Sequence, residues 1–527
     1  MKKSEFHWIL FYAAILAFVT TLPYLIGYFA ESEEWRFTGF VFGVEDGNSY
    51  IAKMLLGSEG AWLFRTPYSS MEQSGIIAFL PYILLGKLAS GPGMHEQLVG
   101  LYHLFRVLVT PFAVYATYQF ASLFIKEAQW RKWATVLSTA GGGLGWLMVM
   151  LGKGFFFGSL PMDWISPEWF GFLAFLGYPH LILARALLLM GLTLYLTSPF
   201  KKNRDWLAGL CFIVLGFVHP LAMATAIAIL GVHQCAIWAT ALVRRSKPIR
   251  IKWLWIGVKA IFLPLPLVVY YFVRFSSDPY LSVWTSQNQI FSPHPVHILI
   301  AYGWAFFPAV FGVRVILKSR RWTGLVLLAW LLAFPIFAYA PHNLQRRLPD
   351  GIWVAWSICA VMGMNVLSKR WVKKLQSFKL VFWGFSLLTT IMLLVSAIQF
   401  SVQTRIPIFR HGEEVEVFQW LQEKAEQGSV VLSSFATGNA MPAWASVRVV
   451  IGHGPETAEL ASLEPMVYAF YSGDLDVEEQ IKFIQSQNIS YIFWGPLERI
   501  QGGIDLMGSP LIELCFESGK YQLFEVQ

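Results

Sequence analysis

Long apolar stretches separated by short polar gaps occupy the first 400 residues of this 527-residue chain. A helix needs about 20 apolar residues to cross the hydrocarbon layer of a membrane. At that length the pattern predicts about eleven membrane-spanning helices, near residues 8–29, 97–124, 132–151, 177–198, 206–218, 220–243, 253–274, 296–317, 322–340, 348–368 and 379–400. His219-Pro220 interrupts one long apolar run, so the fifth and sixth spans depend on a break at that point.

The pattern changes after about residue 403, where shorter helical and strand-like periods alternate. Helical periodicity covers 413–426 and 477–487, and strand-like segments cover 429–433, 447–451, 490–494, 511–516 and 521–526. We therefore predict two domains. Residues 1–402 form a transmembrane module, which includes a long first outer loop at 30–96, and residues 403–527 form a soluble α/β domain.

Lysine and arginine are concentrated in every second gap between the apolar stretches. The clusters are Lys2-Lys3, Lys126/Arg131-Lys132, Lys201-Lys202/Arg204, Arg244-Arg245/Lys247/Arg250/Lys252, Lys318/Arg320-Arg321 and Lys369-Arg370/Lys373-Lys374. Basic loops stay on the cytoplasmic side of a membrane. The alternation predicts a multi-pass protein of the plasma (inner) membrane with a cytoplasmic N-terminus, and an odd number of spans places the α/β domain outside.

Composition supports a membrane protein. The chain is 56% hydrophobic and only 14% charged, whereas soluble domains are roughly one quarter charged. The net charge of +8 follows from the basic gaps and gives no reason to expect a nucleic-acid partner. The four cysteines show neither a disulfide framework nor zinc-ligand spacing.

Two adjacent acids, Glu45 and Asp46, begin the segment G-V-E-D-G-N-S-Y-I-A-K-M-L-L-G in the first outer loop. Paired acids at a membrane surface are typical of a carboxylate that takes part in proton transfer. Helix capping is the other interpretation, with Asp46 or Asn48 at the start of an amphipathic helix over 49–56. That helix would place Lys53 opposite its apolar side. An acid at a helix start can have both roles.

Cations within or next to the spans form a second set of candidates. Arg106, one turn after His103, and Arg185, near His180, fall inside predicted spans. A charge at membrane depth is costly and usually faces a cavity or a partner, although a long arginine can also extend to the interface. Arg346-Arg347 lies on the predicted outer side, where paired guanidinium groups suit a phosphate or a cluster of carboxylates or, alternatively, anionic lipid headgroups.

The acid pair in the first outer loop, the adjoining amphipathic helix, the many spans and the outer C-terminal domain together resemble the GT-C glycosyltransferases. These include the protein O-mannosyltransferases, the lipid A aminoarabinose transferases and the mycobacterial arabinosyltransferases. The likeness is closest over E-D-G-N-S-Y-I-A-K-M-L-L-G, an acid followed by a tyrosine and a basic residue. The acid pair of the arabinosyltransferase-like branch is usually two aspartates, so Glu45 leaves open which acid is catalytic.

The resemblance implies inverting transfer of a hexose or pentose from a polyprenyl-phosphate sugar to a hydroxyl of a glycan, lipid or protein acceptor on the outer side. It implies Asp46 or Glu45 as the catalytic base. The residues expected to bind the donor phosphate are Arg346, Arg347, Arg185, Arg106, His180 and Lys53. No nucleotide or redox cofactor is expected, and a divalent cation remains open.

Two other functions use the same features differently. A transporter or flippase for a lipid-linked glycan would need the cavity but no reacting groups. A sensor or assembly subunit would use the membrane part as a scaffold for the outer domain. Transporters often show inverted repeats and broken helices, but this sequence shows no repeat, and His219-Pro220 is its only comparable break. The sensor or assembly subunit leaves the acids and the outer arginines unexplained, so the enzyme is favoured.

Overall fold

The computed structural model describes residues 1–245, 247–319, 321–370, 375–502, 506 and 511–527. The basic positions Arg320, Lys373 and Lys374 of the predicted cytoplasmic loops lie outside the described residues. The chain divides into two compact units. We call them the helical unit (Met1–Thr21, Phe105–Phe272 and Ile290–Ser396) and the mixed unit (Leu22–Leu104, Val273–Gln289 and Ala397–Gln527). The predicted domain boundary near residue 402 remains a prediction.

Seven helices of the described chain are long and apolar enough to cross a membrane: Lys3–Phe29, Met94–Ser122, Pro179–Thr197, Pro220–Val243, Val296–Ser319, Ile352–Lys369 and Phe382–Ser401. Helices Ile251–Phe262 and Leu265–Ser277 are bent by 51° and make an eighth span if the pair counts as one. This pattern agrees with the predicted polytopic helical membrane protein. The predicted break at His219-Pro220 is present, since helices Arg204–Val218 and Pro220–Val243 end and begin there.

Three other segments that were predicted to span are short or interrupted. Residues 132–151 form two helices, Ala128–Ala140 and Gly145–Met150. Helix Arg204–Val218 has only 15 residues, and residues 322–340 form a 3-10 turn followed by helix Leu325–Ala338. The predicted count of about eleven spans therefore remains a prediction.

Hydrogen bonds from two glycine N–H groups to a side chain accompany the break within residues 132–151. The backbone N–H groups of Gly143 and Gly145 donate to Asp163 Oδ2 over 2.9 and 3.2 Å, and Thr389 Oγ1 donates to the same oxygen over 2.7 Å. A helix would direct these N–H groups to its own carbonyl groups. Asp163 therefore binds the donors that the interrupted helix leaves open, and burial raises the pKa of its carboxyl.

Shorter helices complete both units. In the helical unit these are Met162–Ile165, Gly171–Gly177 and the 3-10 turn Gln345–Arg347. In the mixed unit they are Val44–Ser58, Leu80–Gly86, Pro279–Gln287, Gly412–Lys424, Phe435–Ala440, the turn Met441–Ala443, Leu460–Ser472, Val477–Ser486 and Pro496–Arg499. Asp476 caps helix Val477–Ser486 in a capping box with Glu479.

Two sheets lie in the mixed unit. Their strands are β1 (Trp35–Phe37), β2 (Phe409–His411), β3 (Val430–Leu432), β4 (Arg448–Val449), β5 (Ile489–Trp494), β6 (Ile512–Ser518) and β7 (Tyr521–Val526). The larger sheet has the order β4-β3-β5-β7-β6, with β3 parallel to β4 and β5, and β7 antiparallel to β5 and β6. All five of its strands fall where the sequence predicts them.

The smaller sheet connects residues 35–37, in the predicted first outer loop, with the C-terminal segment inside the mixed unit. Strand β1 pairs antiparallel with β2, so that Trp35 lies opposite His411 and Phe37 opposite Phe409. Thr38 continues the connection, because its N–H and its Oγ1 both donate to the carbonyl oxygen of Ile408. Backbone pairing over such a sequence distance holds residues 38–47 next to the C-terminal segment.

Candidate functional site

The acid pair lies in the first turn of helix Val44–Ser58. Gly43 precedes this helix in the left-handed conformation, at φ 59°, which glycine adopts without steric cost. The structure therefore contradicts the expected cap at Asp46 or Asn48, because the helix begins at Val44 and no side chain caps it. Glu45 and Asp46 instead lie near the positive end of the helix dipole, where carboxylates are favoured.

The two acids have different surroundings. Glu45 Oε1 accepts a hydrogen bond from the N–H of Gly454 over 2.9 Å. Asp46 Oδ1 lies 3.7 Å from His453 Nε2, and the side chain of Asp46 is 40% exposed whereas that of His453 is buried. A partly exposed carboxylate beside an imidazole can accept a proton from an incoming group.

Lys53, two turns further along the same helix, forms a buried ion pair. Its Nζ lies 2.6 Å from Glu456 Oε1. Ser49 Oγ donates to that oxygen over 2.8 Å, and Thr66 Oγ1 donates to the second carboxylate oxygen over 2.6 Å. Lys53 is fully buried, so protein also covers the helix where the Lys53 side chain lies.

Burial and charge act against each other in this pair. Burial disfavours the ionised Glu456 carboxyl, but the charge of Lys53, together with that of His453, outweighs it and lowers the pKa of Glu456. Burial lowers the pKa of the Lys53 ammonium, and Glu456 offsets part of that change. The ammonium also lies 4.4 Å from the centre of the Phe79 ring, a cation–π contact. The role of Lys53 as a phosphate ligand remains a prediction.

Asn439 connects the acid pair with the C-terminal segment. Its Nδ2 donates to the backbone oxygen of Glu45 over 3.3 Å, and its Oδ1 accepts from Asn48 Nδ2 over 2.8 Å. The Tyr68 hydroxyl donates to the Asn439 carbonyl oxygen over 3.0 Å. Asn439 and the segment G-H-G-P-E-T at 452–457 thus hold the first turn of the helix in place.

A cavity of about 430 Å³ adjoins this turn in the mixed unit, within the usual size range of small-molecule sites. Glu45, Asn439 and Arg405 supply its charged and amide groups, and most other lining residues are apolar, including Phe400 and Phe435. Glu45 and Arg405 are therefore the charged residues that line a largely apolar space.

In the helical unit, three of the predicted cations lie around one loop. Arg185 Nη2 is 2.9 Å from Asp350 Oδ1 and also donates to the carbonyl oxygens of Pro167 and Glu168, over 2.8 and 3.0 Å. Arg347 Nε lies 3.6 Å from Glu168 Oε1. Arg185 is 5% exposed, so its guanidinium is enclosed by protein partners.

Arg346 is the third of these cations, and its backbone oxygen accepts a hydrogen bond from Trp169 Nε1 over 2.6 Å. Its Nε is buried and has no hydrogen-bond partner among the described residues. Burial lowers the pKa of the guanidinium, which remains protonated at neutral pH. We call Arg185, Arg346 and Arg347 with Glu168 and Asp350 the arginine cluster.

Two further predicted residues of the helical unit have structural partners. Arg106 is fully buried and donates to Thr20 Oγ1, Thr21 Oγ1 and the Phe175 carbonyl oxygen, over 2.8, 2.9 and 3.2 Å. These bonds account for a charge at membrane depth. The ring of His180 lies 5.9 Å from that of His219. The predicted phosphate-binding roles of Arg106 and His180 remain untested.

Several residues of these clusters are not predicted from the sequence. They are Asn439, His453, Glu456, Glu168 and Asp350. The polar segment 452–457 was the available signal for two of them, because its His and Glu interrupt an otherwise apolar stretch. No group of three or more His, Cys, Asp or Glu residues within the described chain could hold a metal ion, and a divalent cation stays open.

No protein-family model matches the chain, and no curated protein sequence matches it. Solved structures do match. An archaeal oligosaccharyltransferase from Archaeoglobus fulgidus, in complex with an inhibitory peptide and a dolichol-phosphate, has a TM-score of 0.54 at 12% identity, over 93% of this chain and 70% of that one. ArnT from Cupriavidus metallidurans bound to undecaprenyl phosphate has a TM-score of 0.52 at 12% identity, over 98% of both chains.

The arabinofuranosyltransferase AftD from mycobacteria has a TM-score of 0.51 at 13% identity, over 99% of this chain and 41% of that one. These three proteins are GT-C glycosyltransferases. At such low identity the likeness is one of fold. The chain therefore has the fold of the GT-C glycosyltransferases, and the resemblance identified from the sequence is confirmed at that level.

Proposed function

Starting from the GT-C fold, we propose that this protein is a membrane glycosyltransferase that moves a sugar from a polyprenyl-phosphate donor to an acceptor hydroxyl. The main support is the position of Asp46 at the first turn of helix Val44–Ser58, 3.7 Å from His453. A lipid-phosphate donor is supported by the solved relatives, one with a dolichol-phosphate and one bound to undecaprenyl phosphate.

In the proposed reaction, Asp46 accepts the proton of the acceptor hydroxyl. The hydroxyl oxygen forms a bond to the anomeric carbon while the bond from that carbon to the donor phosphate breaks. The electron pair of the broken bond leaves with the polyprenyl phosphate, and the configuration at the anomeric carbon inverts. We assign the base to Asp46, because the Glu45 carboxylate accepts the N–H of Gly454 and helps to hold the loop.

The proposed role of the arginine cluster is to bind the donor phosphate and stabilise the departing anion. The cluster combines three guanidinium groups with two carboxylates, Glu168 and Asp350, so it carries one surplus positive charge when all five groups are ionised. Arg346 supports this role most directly, since its buried Nε has no partner among the described residues. Charge-assisted hydrogen bonds of this kind favour a phosphate.

The proposed function is tested with the purified full-length protein in detergent. Undecaprenyl-phosphoryl mannose, glucose and aminoarabinose serve as donors, and a cell-envelope glycolipid extract serves as the acceptor. We expect one donor to yield free undecaprenyl phosphate together with a glycosylated acceptor. EDTA in a parallel reaction tests the open question of a divalent cation.

A transporter or flippase gives a different result in the same assay. It would bind a lipid-linked sugar but release no undecaprenyl phosphate, whatever acceptor is supplied. Donor binding without any cleavage across the panel, together with movement of the lipid-linked sugar across proteoliposomes, would therefore replace the enzyme by the transporter.

A further inference from the structure

Two adjoining cavities lie in the helical unit where four of the apolar spans end. The first, of about 460 Å³, is lined by residues that follow Ser122 and by the ends of Val296–Ser319 and Ile352–Lys369. The second, also of about 460 Å³, lies at the end of Pro179–Thr197. Leu123, Arg321 and Thr323 line both cavities, so the two spaces share one wall.

The charge of these cavities is strongly one-sided. Lys126, Arg321 and Lys369 line the first, and Arg321 and Lys252 line the second, against Glu127 as the one acid among the described lining residues. Glu127 is already bound, because Lys369 Nζ lies 2.6 Å and Asn365 Nδ2 lies 2.5 Å from its two oxygens. The side chains of Lys126 and Arg321 have no ion-pair or hydrogen-bond partner among the described residues.

The remaining lining is largely apolar. Val315, Ile316, Met362 and Val366 line the first cavity, and Leu196, Pro199, Phe200 and Trp253 line the second. Exposed cations above apolar walls at the ends of membrane spans match an amphiphile with an anionic head. A soluble anion would leave the apolar walls without a partner.

We propose that these two cavities form a binding site for the anionic headgroup of a membrane phospholipid, with its acyl chains along the apolar walls. Basic crevices between spans recognise such headgroups by charge. Arg321 lines both spaces, so a lipid with two phosphates, such as a cardiolipin, can occupy both cavities with the guanidinium between its phosphates. The site does not depend on the proposed transfer reaction.

The cations also have a simpler explanation. Basic residues at the ends of spans follow from the positive-inside rule and complement the negative ends of helix dipoles. On that explanation every cation of this face contributes equally to lipid binding. On the proposed site only the cations that line the cavities contribute. Lys318 is the matched control, because it is exposed at the same helix end but lines neither cavity.

The test is native mass spectrometry of the purified full-length protein in detergent, with the thermal unfolding midpoint as a second readout. Tetraoleoyl cardiolipin, dioleoyl phosphatidylglycerol and dioleoyl phosphatidylethanolamine are the probes. We expect cardiolipin to bind most tightly and to raise the midpoint, and phosphatidylethanolamine to do neither. Arg321→Gln and Lys126→Gln each weaken cardiolipin binding about fivefold, whereas Lys318→Gln leaves it unchanged. All three side chains are exposed, so these variants are expected to fold.

Three outcomes would overturn the site. Equal binding of cardiolipin and phosphatidylethanolamine would show that the site does not recognise the charge of the headgroup. An effect of Lys318→Gln as large as that of Arg321→Gln would show that lipid binds to the basic surface in general and not to the cavities. Displacement of cardiolipin by millimolar inorganic phosphate or glycerol 3-phosphate would assign the cavities to a soluble anion.

Discussion

The ammonium of Lys53 and the carboxylate of Glu456 lie 2.6 Å apart, with both side chains buried, in the mixed unit. Lys53 belongs to the helix that carries Glu45 and Asp46, and Glu456 belongs to the segment that carries His453. This ion pair therefore fixes the distance between the acid pair and its histidine. An isolated charge in a buried position is costly, so each residue depends on the other.

Removal of one partner is expected to destabilise the mixed unit strongly. Lys53→Met leaves the Glu456 carboxylate buried without its counter-ion, a change that costs roughly 3–5 kcal/mol in comparable pairs. The double variant Lys53→Met/Glu456→Leu is expected to lose less than either single variant, because no buried charge remains. Thermal unfolding of the three variants in one detergent measures the order of their stabilities. A double variant as unstable as the sum of the single ones would contradict the coupling.

The same pair gives a pH dependence. The folded-state pKa of Glu456 is lowered, so its stabilising contribution is present above the pKa of the unfolded state and is lost as the pH falls through the folded value. We expect the unfolding midpoint of the wild type to fall as the pH drops below about 5, the range in which an unfolded glutamate begins to take up its proton. Glu456→Gln is less stable at neutral pH and has a shallower acid dependence.

Glu464→Gln is the control for this pH experiment, since Glu464 is exposed on helix Leu460–Ser472. Its acid dependence is expected to match that of the wild type. An acid profile of Glu456→Gln as steep as that of the wild type would show that other carboxylates govern acid stability.

The sequence alone predicts much of the fold. The apolar lengths locate the spans Lys3–Phe29 and Pro220–Val243, and alternation locates β7 at its observed bounds, Tyr521–Val526. The exceptions have local causes. The run at 132–151 has no charged residue after Lys132, but the N–H groups of Gly143 and Gly145 donate to Asp163. Hydropathy carries no information on where backbone N–H groups are directed.

The candidate site is only half visible in the sequence. Glu45 and Asp46 stand out as adjacent acids, but Glu456 is separated from Lys53 by about 400 positions, and no pattern within one chain links them. The predicted helix start is wrong because Asp and Asn are favoured at the N-cap, which made Asp46 and Asn48 the expected caps. In the structure the helix begins at Val44, directly after Gly43, which adopts the left-handed backbone conformation. Long-range partners of this kind become evident only in three dimensions.

The arginine cluster makes a prediction about donor binding. Arg346→Gln is expected to weaken the binding of undecaprenyl phosphate about tenfold or more, because a charged hydrogen bond is worth about 1.5–3 kcal/mol. Lys201→Gln removes one exposed positive charge elsewhere and serves as the control. Intrinsic tryptophan fluorescence with added undecaprenyl phosphate measures the affinity of both variants for this lipid. Equal affinity of the Arg346→Gln variant and the control would remove Arg346 from the phosphate site.

The predicted topology is tested by labelling. In a background with all four cysteines replaced by serine, Glu423→Cys is expected to react with a membrane-impermeant maleimide on intact spheroplasts. Lys202→Cys is expected to react only after permeabilisation, because it lies in a basic gap. Both positions are exposed. Labelling of Lys202→Cys on intact spheroplasts would reverse the predicted orientation.

The most direct test of the central claim is the release of undecaprenyl phosphate by Asp46→Asn, measured with the donor that the wild type accepts. Asparagine keeps the size of the side chain but cannot take a proton, so the rate is expected to fall by about 10² or more, while donor binding persists. Glu45→Gln, the neighbouring matched change, is expected to retain most of the rate. Full activity of Asp46→Asn in a folded protein would contradict the account.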